Sequence, residues 1–399
     1  MCNKYILLIS AVYPPEPVVS SHLSENLYYA LKDKGLEVRV LHPKPTRPNG
    51  FRFDAVLYSG EDEIITDSYT CPQSSIFGRV RESYSFGKAC TKYIREHYKE
   101  ITLIYANAWP MLSQHMIVKT TMRYGIPVVI HVQDVYPESM TNKLPIWTGK
   151  LLEEITLPYD RETLKNSRVV VVISDKMKDY LVCSRGLKPE NVEVVVNWQD
   201  ETEFLEYQKN SKVEIHDNFT YMYLGNIGPV AGVDLLIDAY VNADIPNSKL
   251  VIAGSGSMKK KLIDRVWAFH NIEFLDVPNG KVPEIQSRAD CMLLPIKKGA
   301  ASSSIPSKLP AYMFSAKPII GCVDEDSDTA NAIKDAGCGW VIEPDNIEKL
   351  TETMKMVVSL DKEYLENKAK KALLYGLSHF SKGKNLSKLV DIIIEQINS

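Results

Sequence analysis

Short apolar runs rich in β-branched residues recur along the chain and alternate with stretches in which apolar residues repeat every three or four positions. Continuous runs of this length are typical of strands buried on both faces, and their alternation with amphipathic helices predicts parallel sheets covered by helices. The predicted strands of the first half are 5–10, 36–42, 102–108, 127–132, 167–174 and 192–197. Those of the second half are 219–227, 248–256, 271–277, 289–296, 317–323 and 339–344.

The helical pattern is clearest between the first two predicted strands. Over 20–35, Leu23, Leu27 and Leu31 recur every four residues, and Gly35 provides a stop signal. Similar spacing predicts further helices in the second half and at its end, over 233–243, 329–337 and 385–397.

A polar stretch without apolar periodicity separates two halves that have the same rhythm. The sequence therefore predicts an α/β protein with two doubly wound parallel-sheet domains, divided into a first domain at 1–198, a linker at 199–218, a second domain at 219–384 and a closing helix at 385–399. Sites in such domains lie at the carboxyl ends of the strands, where helix N-termini offer free N–H groups. We therefore expect the chemistry in strand-to-helix loops that face a central cleft.

Composition narrows the class of protein without changing this architecture. The 399 residues suffice for two or three domains, and a formal net charge of −3 argues against a nucleic-acid partner. The seven cysteines are scattered without a C-x-x-C pair, which indicates free thiols in a reducing compartment. The apolar run near the N-terminus is too short for a signal peptide, and no run approaches the ~18 residues of a membrane span. A cytoplasmic location is expected.

The loop YLGNIGPVAGVDLL (223–236) follows a predicted strand and leads into a predicted helix. Gly225, Gly228 and Gly232 would let backbone amides around Asn226 approach an anion, and the helix adds its dipole. The alternative is a turn that needs glycine only for its backbone angles. A second glycine pair, AGSGS (253–257), lacks the further glycine of a nicotinamide-binding fingerprint, so that function is excluded.

The stretch SSSIPSKLPAYMFSAKPII (302–320) combines small donors, one cation and a helix start. Ser304 can donate hydrogen bonds, Ser307 is expected to cap a helix beginning near Lys308, and Pro306 restricts the loop to one shape. Together these groups would hold a phosphate. The alternative is a solvated surface loop with an ordinary cap.

In the first half, VVIHVQDVYPES (128–139) ends a strand with His131 and Asp134. An imidazole near a carboxylate suits proton handling or hydroxyl binding, although a strand-end histidine is often structural. Ser20 and Ser21 are expected to cap the first helix and to face the cleft.

The segment RVRESYSFGKACTKYIREHYK (79–99) alternates aromatic and basic residues. As a helix it would fit an anionic bilayer surface, which leaves a peripheral membrane contact open. The alternative is an ordinary solvated amphipathic helix.

The order and spacing of these motifs resemble the GT-B glycosyltransferases of family 4, and in particular the bacterial branch that builds capsule, O-antigen or colanic-type polysaccharides. The resemblance runs from YPPEP (13–17) to AGCGWVIEP (336–344). It includes HVQDVYPES and the Pro-Ser-Lys helix entrance at 306–308. It implies two Rossmann-like domains and retaining transfer of a hexosyl or acetamidohexosyl group. The donor would be a nucleotide-sugar, the acceptor a hydroxyl of a lipid-linked or growing saccharide, and neither metal nor cofactor is expected.

The residues themselves and the resemblance together lead us to expect roles for individual positions. Donor or diphosphate binding is expected of Gly225, Asn226, Gly228, Val277, Ser304, Pro306, Ser307 and Lys308. Catalytic residues would be His131 and Asp134, and acceptor-side residues Ser20, Ser21 and Glu138. The enzyme would work in the cytoplasm, at the inner face of the plasma membrane where it makes peripheral contact.

The sequence departs from the family pattern at three places. The two glutamates expected eight residues apart are Ser303 and Ala311, a lysine expected near the first glycine loop is replaced by Ala231-Gly232, and paired glycines near the N-terminus are replaced by 18–21. Two alternatives therefore stay open: a non-catalytic GT-B subunit that supports a partner transferase, and a sugar-nucleotide epimerase.

Overall fold

The strands predicted by the apolar runs are present, and every strand pair is parallel. The computed structural model describes residues 4–47, 62–71, 73, 75–108, 111–141, 144–211, 218–229, 231–298 and 305–398. These residues form two sheets, one in each of two units of the chain. Unit 1 is Met1–Asn197 together with Asn385–Ser399, and unit 2 is Trp198–Lys384.

The sheet of unit 1 has the strand order β3-β2-β1-β4-β5-β6-β7. Its strands are β1 (Tyr5–Ile9), β2 (Val38–Pro43), β3 (Glu63–Thr66), β4 (Ile101–Ala108), β5 (Val128–Val132), β6 (Val169–Val172) and β7 (Val192–Val194). Its helices are α1 (Val19–Asp33), α2 (Ile76–His97), α3 (Met111–Tyr124), α4 (Glu138–Thr141), α5 (Ile146–Lys165) and α6 (Asp175–Arg185). A short 3-10 turn, Pro189–Asn191, precedes β7.

The sheet of unit 2 has the order β10-β9-β8-β11-β12-β13. Its strands are β8 (Phe219–Leu224), β9 (Ser248–Ala253), β10 (Ile272–Leu275), β11 (Cys291–Pro295), β12 (Ile319–Cys322) and β13 (Gly339–Ile342). Its helices are α7 (Thr202–Asn210), α8 (Val233–Ala243), α9 (Lys259–Val266), α10 (Val282–Ser287), α11 (Lys308–Phe314), α12 (Asp328–Ala336), α13 (Ile347–Val358) and α14 (Lys362–His379). The last helix, α15 (Lys382–Asn398), begins in unit 2 and continues in unit 1 from Asn385.

Each unit has its own apolar core, built from strands that are buried on both faces. All five residues of β1 and all five of β5 are buried, as the continuous apolar runs predict. In α1, Leu23, Leu27 and Leu31 are buried together, which confirms the helix predicted from their spacing. Two parallel-sheet domains are therefore confirmed.

Two local features differ from expectation. The sequence does not predict the edge strand β3, because only two of its four residues, Ile64 and Ile65, are apolar. The segment 199–218, predicted as a linker, contains helix α7, whose Phe204 is buried beside Phe314 at a ring-centroid distance of 5.9 Å. Phe204 is the one buried residue of this helix, which therefore lacks a repeating apolar pattern, and hydrogen bonds of Tyr207 and Gln208 also hold it in place.

The described part of the chain shows three further features. Its six cysteines are free thiols, as the scattered spacing predicts. No group of three His, Cys, Asp or Glu side chains in these residues could hold a metal ion. None of the helices described is long and apolar enough to cross a membrane.

The central position of β11 gives a test of the core. Leu293 is fully buried and pairs in register with Ile320 of β12. We predict that Leu293→Ala lowers the free energy of unfolding by about 2–5 kcal/mol, because it removes buried methyl groups and leaves a cavity. Leu374→Ala, at an exposed position of α14, is the matched control and should change stability by about 0.5 kcal/mol or less. Urea denaturation measures both, and equal losses would contradict the assigned core.

Candidate functional site

The loops after β8 and β9 run side by side at the carboxyl end of the unit 2 sheet. The Gly225 amide donates to the Ala253 carbonyl at 2.9 Å, and the Ile227 amide donates to the Ser255 carbonyl at 2.7 Å. Gly254 has a φ of +135°, and a Cβ there would overlap the Gly225 carbonyl oxygen. The glycines of 253–257 therefore allow two backbones to touch.

Lys308 lies directly over this pair of loops. Its aliphatic stem fills the space that a side chain at position 225 would occupy, and its ammonium is 5.5 Å from the centre of the Tyr223 ring. Burial lowers the pKa of Lys308. Among the described residues no hydrogen bond or salt bridge involves its ammonium. The sequence-predicted residues Gly225 and Lys308 are thus brought into contact, and the Tyr223 ring lies beside the cation.

Tyr312 fastens α11 to the end of β8. Its buried hydroxyl accepts from the Leu224 amide at 3.0 Å and donates to the Leu224 carbonyl at 2.9 Å. The register of β11 and β8 covers only Cys291–Tyr221 and Met292–Met222, so Leu224 has no ladder partner on that side. The tyrosine supplies both missing hydrogen bonds. Sequence reasoning missed it, because a tyrosine in an apolar helix pattern gives no sign of what its hydroxyl contacts.

Lys259, the first residue of α9, joins the ends of two neighbouring strands. Its ammonium donates to the carbonyls of Gly254 and Leu275 at 2.8 and 3.1 Å, and to Asp276 at 2.7 Å. Val277 follows this contact and is half-buried. The sequence singled out Val277 but not the lysine that holds the turn before it.

Of the other predicted donor-side residues, Asn226 and Gly228 lie in the loop after β8, and Pro306 and Ser307 lie directly before α11. Gly228 and Pro306 are half-buried, Asn226 and Ser307 are exposed, and Ser304 lies outside the described residues. The prediction that Ser307 caps α11 is wrong. Its backbone is itself helical, whereas a capping side chain needs an extended backbone to reach the first amides.

The first turn of α8 has no side-chain cap, and it carries the exposed carboxylate of Asp234. Gly232 precedes the helix with a φ of +68°. Its first amides therefore lack a side-chain partner, and the helix dipole adds partial positive charge. Together with Lys308, this end of the sheet offers N–H groups and a cation, which is the donor set for a phosphate.

In unit 1, His131 is part of a buried hydrogen-bond chain. The Tyr105 hydroxyl lies 2.7 Å from Nδ1, the Gln133 amide nitrogen lies 3.1 Å from Nε2, and Asn197 donates to Gln133 at 2.6 Å. The same Gln133 nitrogen also lies 3.4 Å from Nδ1, so it faces the ring edge between the two nitrogens. Burial lowers the pKa of His131 to about 3, so the imidazole is neutral at pH 7. Its catalytic role stays a prediction.

The remaining predicted residues of unit 1 differ in exposure. Asp134 is exposed two residues beyond β5, Ser20 is half-buried and Ser21 is buried. Both serines lie inside α1, which begins at Val19, so the prediction that they cap the helix is wrong. A residue with helical backbone angles cannot reach the amides of its own first turn.

Glu138 belongs to a buried charge network that sequence reasoning did not find. Arg185, 1% exposed, donates to both carboxylate oxygens of Glu138 at 2.7 Å, to the Tyr136 carbonyl at 2.8 Å and to Asp160 at 2.7 Å. Burial would raise the pKa of Glu138, but hydrogen bonds from Arg185 and Tyr180 outweigh it and lower the pKa. The network holds the segment after β5 against α5 and α6.

Two family models match the chain. The one described as Glycosyltransferase Family 4 matches residues 23–203, and the one described as Glycosyl transferases group 1 matches residues 205–373. Between positions 23 and 373 they leave only Phe204 unmatched. The chain belongs to this glycosyltransferase family.

Known relatives agree with the assignment. Over 380 residues the glycosyltransferase is 23% identical to the Escherichia coli K12 protein named colanic acid biosynthesis glycosyl transferase WcaI. The aligned region covers 90% of this chain and 93% of the relative. Sucrose-phosphate synthase from Thermosynechococcus elongatus superposes with a TM-score of 0.71 at 14% identity, over 98% of this chain and 99% of that one. Anabaena HepE in complex with UDP superposes with a TM-score of 0.65 at 13% identity, over 98% of this chain and 100% of that one. The fold of the glycosyltransferase is therefore GT-B.

The contact between the two glycine loops gives a test of the site. We predict that Gly254→Ala destabilises the glycosyltransferase by more than the ~1–2 kcal/mol expected for a side chain in a left-handed backbone conformation, because the new Cβ also meets the Gly225 carbonyl. Gly280→Ala is the matched control, since it has a φ of +73° and open space around it. Thermal and urea unfolding compare the two. Equal losses would mean that the loops can separate without cost.

The buried charge network gives a pH test. Burial raises the pKa of Asp160 to about 6, against the opposing effect of Arg185, so the folded protein holds this proton more tightly than the unfolded chain does. The bound proton of Asp160 therefore contributes fully to the free energy of unfolding below the unfolded pKa of about 4. This contribution is lost as the pH rises through 6. In Asp160→Asn nothing titrates at this position.

We predict that the free energy of unfolding of the variant, minus that of the unmodified protein, rises by on the order of 2–3 kcal/mol as the pH is raised from 4 to 7.5. Urea denaturation across this range measures the difference. Parallel pH profiles would show that Arg185 keeps Asp160 at an ordinary pKa.

Proposed function

We propose that this glycosyltransferase transfers a hexosyl or acetamidohexosyl group from a nucleotide-sugar to a hydroxyl of a lipid-linked or growing saccharide, with retention of configuration, in surface polysaccharide biosynthesis. The observation that carries the proposal is Lys308, whose half-buried ammonium has no anionic partner among the described residues and lies over the loop at Gly225. The name of the E. coli relative, matched along most of both chains, supports the polysaccharide context.

In this proposal the donor diphosphate binds at the carboxyl end of the unit 2 sheet. Lys308 and the first amides of α8 neutralise the charge that develops on the diphosphate as the glycosidic bond breaks. Gly225, Asn226 and Gly228 let the backbone approach it, with Ser304, Pro306 and Ser307 alongside. The backbone at Val277 contacts the base. HepE holds UDP in its solved complex, which makes UDP-sugars the first donors to test.

The acceptor is assigned to unit 1. His131 and Asp134 are the proposed catalytic pair, and Ser20, Ser21 and Glu138 are on the acceptor side. Because neutral His131 is locked between Tyr105 and Gln133, we expect it to orient hydroxyl groups rather than to exchange protons with solvent. We propose that no metal or cofactor takes part, and that the enzyme works in the cytoplasm at the inner face of the plasma membrane.

One observation favours a second candidate, a non-catalytic GT-B subunit. Ala311, where the family pattern has a ribose-binding glutamate, is buried and carries no polar group. Such a subunit would bind nucleotide-sugar weakly and would not turn it over unless a partner transferase is added. Turnover of a nucleotide-sugar without any acceptor would instead indicate an epimerase.

Substitution of Lys308 tests the donor site. We predict that Lys308→Ala weakens binding of UDP and UDP-sugars by roughly 10- to 100-fold, because a hydrogen bond to a charged group contributes about 1.5–3 kcal/mol. The measurement is the rise in melting temperature over a nucleotide-sugar panel, followed by calorimetry on the best ligand.

Lys317→Ala is the matched control. Lys317 is also a half-buried lysine whose pKa is lowered by burial, but it precedes β12 at the amino end of the same sheet and donates to the Ser287 carbonyl at 2.8 Å. Its loss should leave nucleotide affinity unchanged. If no nucleotide-sugar of the panel binds, or if both variants bind as the unmodified protein does, the donor site is elsewhere.

A further inference from the structure

Helix α11 carries Lys308 and Tyr312 four residues apart, so the two side chains lie on the same face of the helix. This face contacts the end of β8. The stem of Lys308 lies against Gly225, and the hydroxyl of Tyr312 is bonded to Leu224, the preceding residue. The cation of the candidate site and the tyrosine thus meet two consecutive residues of the same strand end.

The bonds of Tyr312 fix the ring in one position. Its hydroxyl accepts from the Leu224 amide and donates to the Leu224 carbonyl, so both distance and direction are set by a single residue. Donation requires a bound proton, and burial raises the pKa of Tyr312, which keeps the phenol protonated. Because the side chain is fully buried, the hydroxyl cannot turn to water for a replacement partner.

The two ends of α11 are held by different contacts. At the carboxyl end, the Gln208 side chain donates to the Phe314 carbonyl at 2.5 Å, and Ser315 donates to Gln286. At the amino end, Ser307 makes no capping bond. Loss of the Tyr312 hydroxyl would therefore release the half of the helix that carries Lys308 and leave the other half anchored.

We propose that Tyr312 is a positioning residue of the donor site, whose two hydrogen bonds to Leu224 hold the Lys308 ammonium over the loop at Gly225. A cation held in place before the ligand arrives binds more tightly than one that must be ordered on binding. The importance of this placement rests on the proposed function, in which Lys308 binds the donor diphosphate. The placement itself can be measured without any nucleotide.

The first experiment compares Tyr312→Phe with the unmodified protein in calorimetric titrations with UDP. The substitution removes the hydroxyl and keeps the ring. UDP binding should weaken by roughly tenfold, because the charged hydrogen bond from Lys308 is no longer held in place.

Tyr221→Phe is the matched control. Tyr221 is also a fully buried tyrosine of unit 2, and its hydroxyl donates to the Met354 carbonyl of α13 at 2.6 Å. Both variants lose a buried hydroxyl that bonds to backbone, so both should be less stable in urea. Only Tyr312→Phe should bind UDP more weakly, and equal losses of UDP affinity would overturn the proposal.

A double-mutant cycle distinguishes positioning from a general structural role. In the Lys308→Ala background, Tyr312→Phe should change UDP affinity by less than about twofold, because no ammonium is left to position. A further loss of roughly tenfold in that background would overturn the proposal, since Tyr312 would then act on the site without Lys308.

The titration of Lys308 gives a readout that needs no nucleotide. Nuclear magnetic resonance of protein with lysine labelled at Cε reports the pKa of each ammonium, and Lys308→Ala assigns the signal. Burial lowers the pKa of Lys308, so release of the side chain into water should raise it in Tyr312→Phe and leave it unchanged in Tyr221→Phe. The same pKa in Tyr312→Phe as in the unmodified protein would overturn the proposal.

These measurements separate the positioning role from the proposed function. If the unmodified chain binds no nucleotide-sugar and the pKa of Lys308 still rises in Tyr312→Phe, the proposed function fails and the positioning of Lys308 stands. If the chain binds UDP through Lys308 and the pKa does not change, the proposed function stands and the role of Tyr312 fails.

Discussion

The contact between the Gly225 carbonyl and Gly254 governs the geometry at the carboxyl end of the unit 2 sheet. It lets the ends of β8 and β9 lie closer than any side chain would permit, and the space left at Gly225 is then filled by the stem of Lys308. Tyr312 and Lys259 fix the flanks of this arrangement by hydrogen bonds to backbone carbonyls. A cation is held in place by backbone and aromatic neighbours, with no carboxylate of the described residues beside it.

Unit 1 uses a different principle at the corresponding edge of its own sheet. There the segment after β5 is positioned by ionised side chains, with Arg185 bound to Glu138 and Asp160 in the interior. Loss of Arg185 from this network would leave the carboxylates of Glu138 and Asp160 without their shared cation. The ammonium of Lys308 in unit 2 thus has no carboxylate partner among the described residues, whereas Arg185 in unit 1 is paired with two.

The strands and the class of fold were predictable because burial on both faces leaves a continuous apolar run in the sequence, as in β1 and β5. The motif 225–232 and Lys308 were also visible, because glycine and an isolated cation stand out locally. What the sequence could not reveal were contacts between distant positions: Tyr312 with Leu224, Arg185 with Glu138, and Tyr105 with His131. The two failed capping predictions have local causes. Helix α1 begins at Val19, before Ser20 and Ser21, and Ser307 precedes α11 but has helical backbone angles.

Lys308 also has a consequence for the stability of the protein itself. Its ammonium is half removed from water and receives no counter-ion from the described residues. Burial of the charged form therefore opposes folding and lowers the pKa of Lys308. An apolar side chain of similar length, such as methionine, would fill the same space over Gly225 without that cost. The fold would be more stable without the residue on which the proposed donor site depends, so Lys308 marks a position where function opposes stability.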